Sequence, residues 1–174
     1  MRRKLRKSFF EREAEFVAEK LLGTFLVRRY RGKVTALMIT EVEAYNGPFD
    51  KASHASRGRT ERNKIMFGEA GRWYVYFTYG MYWMLNVVTG PKNYPAAVLV
   101  RGTSEVIGPG RLTKFLRIDK KFNGTSAVGR GDLWIEDRGV RIKKSQIKQT
   151  ARIGVHYAGP YWSKKEYRFV LRDS

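Results

Sequence analysis

Cysteine is absent from this 174-residue chain. That removes disulfide staples, thiolate metal sites and cysteine nucleophiles at once, and it suits a reducing compartment. Histidine occurs only twice, at His54 and His156. Without H-x-x-x-H, H-E-x-x-H or mixed Cys/His spacing, the sequence offers no zinc site and lacks the zinc-deaminase pattern. A P-loop glycine pattern and a G-x-S-x-G elbow are also missing. No apolar run approaches the ~18 residues that span a bilayer, so no membrane association is expected. The opening MRRKLRKSFF is basic, but no long apolar stretch and small-residue cleavage site follow, so no secretory signal is expected. The chain is expected to need neither metal nor cofactor.

Positive charge is what the chain has in excess. Lys and Arg number 35 against 16 Asp and Glu, a formal net charge of +19. Hydrophobic residues make up 43 %, which describes a folded domain and not a disordered basic tail. The charge is spread along the whole length, so the folded body is expected to carry a face for a polyanion, with nucleic acid foremost. A merely soluble or thermally adapted surface is the alternative.

The pattern predicts one α+β domain over residues 1–174, built around a curved antiparallel β-sheet with flanking helices and a protruding β-hairpin. Ser8 and Glu11 have capping-box spacing. Phe10, Ala14, Val17, Ala18 and Leu21 then share one helical face, giving a packing helix from about Phe9 to Leu22. Strands are predicted over Thr24–Tyr30 and Val34–Glu43, joined by Arg31-Gly32-Lys33 and ended by Asn46-Gly47-Pro48. Lys51–Gly71 is predicted as a long ordered loop with helical fragments. Trp73–Tyr79 and Met81–Thr89 read as a hairpin with Tyr79 at its tip. A strand at Ala96–Arg101 follows, then a helix from Gly108-Pro109-Gly110 to about Ile118 with Leu112, Phe115 and Leu116 on its buried side. Asp132–Glu136 and Tyr167–Leu171 close the set of strands.

The chemistry concentrates between Thr40 and Asn86. Glu41 and Glu43 are two apart on a strand and point to one face. A solvated strand face is one reading. A carboxylate held beside a turn in a cationic cleft, acting as a general base toward water, is the other. His54 is either a loop residue or a site residue, and it lies beside Arg57, Arg59, Arg62 and Lys64, a stretch suited to phosphates. Trp73, Tyr74, Tyr76, Phe77, Tyr79, Tyr82 and Trp83 occupy both faces of the hairpin. One face suits core packing, the other suits stacking a displaced base, and an aromatic tip suits a wedge. A basic binding module has no use for Glu43 on its basic face. A nuclease would need metal-holding carboxylates, for which Glu41, Glu43 and Asp50 are the nearest candidates.

At these residues the chain resembles the alkyladenine (3-methyladenine) DNA glycosylase family. TEVEAYNGP, ASHASRGR, RNKIMF, YVYFTYGMYWMLN, AAVLVR, GPGRL and ARIGVHYAG occur in the family's order and cover most of the chain. The resemblance implies a monofunctional base-excision repair enzyme that flips an alkylated or deaminated purine out of double-stranded DNA and hydrolyses its N-glycosidic bond. On that resemblance, Glu43 is the general base, and Arg101 with the Ile153 carbonyl holds the attacking water. Tyr45 forms one wall of the base pocket, His54 and Tyr76 the other, and Asn86 disfavours the amino group of normal guanine. Tyr79 is the wedge, supported by Met81 and Tyr82. The implied partner is duplex DNA containing damaged purines, bound by a monomer. The implied location is the cytoplasm of a prokaryote or the nucleus of a eukaryote. Glu61, Phe49, His156 and Pro160 depart from the family pattern around the pocket rim.

Overall fold

A computed structural model of the chain describes residues 2–129 and 131–172. The N-terminal segment forms a two-residue strand β1 (Arg3–Lys4) and two helices, α1 (Lys7–Phe10) and α2 (Ala14–Leu21), where one helix is predicted. Ser8 lies inside α1, neither helix has a side-chain cap, and the capping box does not form. The break has a tertiary cause. The carbonyl of fully buried Phe10 accepts a hydrogen bond from Gly90 N at 2.9 Å, and Glu13 is extended before α2 begins. The predicted apolar face survives the break, because Phe10, Ala14, Val17, Ala18 and Leu21 are all buried in the core.

Strands β2 (Phe25–Tyr30) and β3 (Lys33–Asn46) pair through a two-residue turn at Arg31-Gly32, both at positive φ. That backbone matches the right-handed twist of the flanking strands. Strands β4 (Trp73–Thr78) and β5 (Tyr82–Val88) form the predicted hairpin, and β6 (Ala96–Thr103) follows. Between Asn46 and Trp73 the chain makes two 3₁₀ turns, His54–Arg57 and Lys64–Phe67, as the loop prediction anticipates.

Helix α3 (Pro109–Phe115) buries Leu112 and Leu116, but Phe115 is exposed. The Thr113 hydroxyl donates to Trp83 O at 2.8 Å, which turns the buried stripe toward Thr113 and swings Phe115 out. A Cβ at Gly110 would stand 2.5 Å from the Tyr82 ring, so a glycine lets the hairpin lie on α3. Strand β7 (Leu133–Asp137), then β8 (Ile147–Thr150), helix α4 (Gly159–Ser163) and β9 (Arg168–Leu171) complete the chain. The sequence pattern misses β1, β8 and α4, all short and marginal.

The strands join one open antiparallel sheet in the order β1-β7-β2-β3-β6-β5-β4, with β9 on β3 and β8 on β9. The fold is therefore α+β. Strand β3 runs through its middle and carries the two glutamates. Among the described residues no helix is long and apolar enough to cross a membrane.

Candidate active site

Strand β3 meets β6 through an irregular ladder. Ile39 pairs with Thr103, Glu41 with Gly102 and Val42 with Val100. Thr40 on β3 and Arg101 on β6 are thus each an extra residue, two bulges that offset one another. The second bulge frees Arg101 from the ladder and sets it beside both carboxylates. Its Nε lies 2.9 Å from Glu41 Oε1 and 3.6 Å from Glu43 Oε1. The terminal nitrogens of Arg101 make no hydrogen bond within the protein among the described residues.

Glu43 is 0 % exposed, which overturns the solvated-face reading. Its Oε1 accepts the Ile153 N–H at 2.7 Å and its Oε2 accepts the Tyr45 hydroxyl at 2.9 Å. Burial raises its pKa above the ordinary glutamate value, against the opposing pull of Arg101, the Ile153 amide, Tyr45 and Arg152. A carboxylate in that condition is a stronger base than one in water. Tyr45, Arg101 and Ile153, which surround Glu43, all line a cleft of about 830 Å³.

The same cleft has an aromatic wall. The His54 ring meets Tyr76 edge to face at 4.5 Å, and His54 Nδ1 lies 3.2 Å from the Tyr74 hydroxyl. Desolvation, then Arg62, lower the His54 pKa below its ordinary value, so the imidazole is neutral at pH 7. Burial raises Tyr74 to about 12 and lifts Tyr45 and Tyr76 as well, which keeps all three phenols protonated. Beneath this wall, a small cavity of about 40 Å³ reaches Asn86. Asn86 is buried on β5 and donates to Tyr74 O at 3.1 Å, leaving its side-chain oxygen uncommitted.

The hairpin tip borders the same cleft. Tyr79 is 79 % exposed at positive φ, with Met81 and Tyr82 exposed beside it. Arg57, Arg59, Arg62 and Lys64 are all exposed on the loop between β3 and β4. Arg62 donates to Phe77 O at 2.9 Å and lies over the Tyr76 ring, so it ties that loop to the hairpin. Lys64 is paired with Glu61 at 2.7 Å. The structure thus gathers Tyr45, His54, Tyr76, Tyr79, Arg57, Arg62, Arg101 and Ile153 around one cleft. Glu43 and Asn86 stand just behind its walls, and Arg59 and Lys64 stand outside it.

Sequence reasoning misses the support beneath this cleft. Asp50 and Arg152 form a fully buried two-bond pair, at 2.5 and 2.8 Å. Arg152 also donates to Ala44 O and lies under the Tyr45 ring. Burial works most strongly against its charge, but Asp50, Tyr45 and Glu43 together outweigh it and raise the Arg152 pKa. Tyr157 lines the cleft and donates to Ala52 O at 2.8 Å. One signal was available: an arginine inside Ala-Arg-Ile-Gly-Val needs a partner if that stretch is buried. Asp50 is committed to Arg152, and among the described residues no three His, Asp or Glu side chains converge in a way that could hold a metal ion.

The family model described as Methylpurine-DNA glycosylase matches this chain over residues 8–107 and 103–174. Three relatives share the printed name "Putative 3-methyladenine DNA glycosylase". That of Anaeromyxobacter dehalogenans is 40 % identical over 98 % of this chain and 84 % of its own length. That of Methanocella arvoryzae is 42 % identical over 98 % of this chain and 93 % of its own. That of Legionella pneumophila is 40 % identical over 99 % of this chain and 96 % of its own.

Proposed function

This chain belongs to the methylpurine-DNA glycosylase family, and from that premise we propose how its cleft works and on what. The protein is a DNA glycosylase, a hydrolase of the N-glycosyl bond acting on DNA. Its substrates are alkylated or deaminated purines in a duplex, of the 3-methyladenine, 7-methylguanine, hypoxanthine and ethenoadenine class. It acts as one domain and as a monomer, and it leaves an abasic site.

The observation that carries the reading is the state of Glu43, buried, raised in pKa, and surrounded by three residues that face the cleft. The lesion base turns out of the helix and stacks between Tyr45 and the His54–Tyr76 wall. Tyr79 fills the vacated position in the duplex, braced by Met81 and Tyr82. Asn86 meets the inner edge of the base and disfavours the exocyclic amino group of guanine. The attacking water lies between the unbonded nitrogens of Arg101 and the Ile153 carbonyl, within reach of Glu43. The water oxygen bonds to C1′ as the C1′–N bond breaks with its electron pair on the departing base, and Glu43 takes the water's proton and offsets the positive charge that develops on the sugar. The arginines of the loop, with Lys64, hold the phosphates.

Glu43→Gln tests this directly. Glutamine keeps the shape but neither accepts the proton nor carries charge. Single-turnover base release is expected to fall by ~10²–10⁴-fold with lesion binding intact. The acid limb of the wild-type rate should lie above the ordinary glutamate range, because the base form must be ionised. The same raised pKa means that folding stability drops as pH rises through it, and the Gln variant should escape that drop. Near wild-type excision would refute the assignment. Loss of both cutting and binding would make Glu43 structural.

A further inference from the structure

Glu41 has no part in the hydrolysis described above, yet it is the better-connected of the two carboxylates to cationic groups. Its side chain is nearly buried, and its Oε1 accepts from Arg101 Nε at 2.9 Å and from Arg168 Nε at 2.7 Å. Arg168 is in turn fixed by Thr150, whose hydroxyl accepts from Nη1 at 3.1 Å. The backbone is shaped to hold Glu41 there. Its partner across the bulge is Gly102, where a Cβ would come within 3.2 Å of the Glu41 Cβ and 3.3 Å of its Oε2.

An arginine Nε carries a single hydrogen, and that of Arg101 is given to Glu41. The 3.6 Å approach to Glu43 is therefore an ion pair without a hydrogen bond. The difference matters, because a direct charge-assisted bond would stabilise the ionised base and blunt its appetite for a proton. We propose that Glu41 is a positioning residue for the hydrolysis. It draws the Arg101 guanidinium to its own side, leaving the terminal nitrogens for water and Glu43 free to act. This rests on the reading of Glu43 as the base. It also departs from the sequence-based view of the pair, in which Glu43 alone at the strand end is set apart.

The groups that act on Glu43 are Tyr45 on its own strand, Arg101 on β6, Arg152 and the Ile153 amide after β8, and, more distantly, Tyr76 and Tyr157. Arg168 on β9 pairs with Glu43 along the backbone. His54 also titrates in the cleft, but it is common to every variant, so only differences between pH profiles are read.

The experiment is single-turnover base release from a duplex with one alkylated purine, from about pH 5 to about pH 9. It compares wild type, Glu41→Gln, Arg168→Gln and Arg101→Lys, together with Arg101→Lys combined with Glu41→Gln and with Arg168→Gln. Glu41→Gln should cut the plateau rate at least ~10-fold while lesion-duplex affinity holds, and should move the acid limb to lower pH. Arg168→Gln should move the limb the opposite way, because it strengthens the hold of Glu41 on Arg101 and removes a nearby cation. Adding Glu41→Gln to Arg101→Lys should cost little more than Arg101→Lys alone, since both act through one guanidinium. An unchanged plateau, limbs that shift in the same direction, or rate losses that multiply would overturn the proposal. Should Glu41→Gln not fold, the direction of the Arg168→Gln shift and its coupling to Arg101→Lys decide the matter. A wild-type protein that releases no base would instead refute the proposed substrate class.

Discussion

The floor of the cleft and the hairpin tip are built on opposite terms. On the floor, Glu41, Glu43, Asp50, Arg101, Arg152 and Arg168 are buried or mostly buried, and each carboxylate oxygen that touches a cation has a named partner. At the tip, Tyr79, Met81 and Tyr82 are exposed, and the turn is fixed mainly by its backbone and by Tyr82 lying on Gly110. Chemistry needs groups whose positions are over-determined, since a misplaced base or water costs rate. Recognition of a duplex needs a projecting group with nothing yet to touch. One sheet supplies both, with the ladder of β3 at its centre and the β4–β5 hairpin at its margin.

The sharpest way to break this contrast is to loosen the floor. Asp50→Asn removes one charge from a pair in which both side chains are wholly buried. Arg152 would lose its bonded counter-ion beneath Tyr45, and breaking a buried pair in this way costs about 3–5 kcal/mol. The midpoint of thermal unfolding should fall steeply. Base release should fall in any protein that remains folded, because Arg152 is the residue before the amide that holds Glu43. An Asp50→Asn protein with unchanged stability and rate would show that the buried pair does not hold Glu43 in place.

Tyr79→Ser tests the other pole. A side chain so exposed contributes little to folding, so the melting temperature should stay put. Capture of the flipped base should weaken by ~1–3 kcal/mol of lost stacking. That loss should appear in single-turnover rates at subsaturating enzyme, with non-specific affinity little changed. A large drop in stability, or an undiminished rate, would move the wedge elsewhere.

The two poles also differ in how far they can be read from sequence. The tip is local. Alternating aromatics around Tyr79-Gly80 announce a hairpin, and the observed strands agree to within a residue or so. The shared face of Glu41 and Glu43 is local too, a consequence of strand periodicity. The floor is not local. Asp50 and Arg152 are 102 residues apart, and the Ile153 amide meets Glu43 across 110. No spacing rule reaches that far, and the paired bulges at Thr40 and Arg101 leave no mark on hydrophobic alternation. The break in the first helix has the same origin, because the Phe10 carbonyl is claimed by Gly90, 80 positions away by sequence number.

The smallest effect expected lies on the basic loop, at Glu61. Glu61 is exposed in the turn before the Lys64–Phe67 3₁₀ segment and bonded to Lys64, three residues on. That bond and the charge of Lys64 hold the Glu61 carboxyl below its ordinary value, so it is ionised throughout the working range. Lys64 therefore meets a phosphate with one of its three donors and much of its charge already spent on Glu61. Glu61→Gln releases Lys64 and removes a negative charge from the binding face. Neither change touches the floor, so the rate of base release at saturating enzyme should not move. Affinity for undamaged duplex should rise slightly at low salt. Its dependence on log salt should steepen by about one unit or less, the signature of up to one further phosphate contact. A change in the saturated rate would mean that the loop and the floor are coupled, and the separation between the two regions would then fail. An unchanged salt slope would mean that Lys64 faces away from DNA, leaving the backbone contacts to Arg57, Arg59 and Arg62.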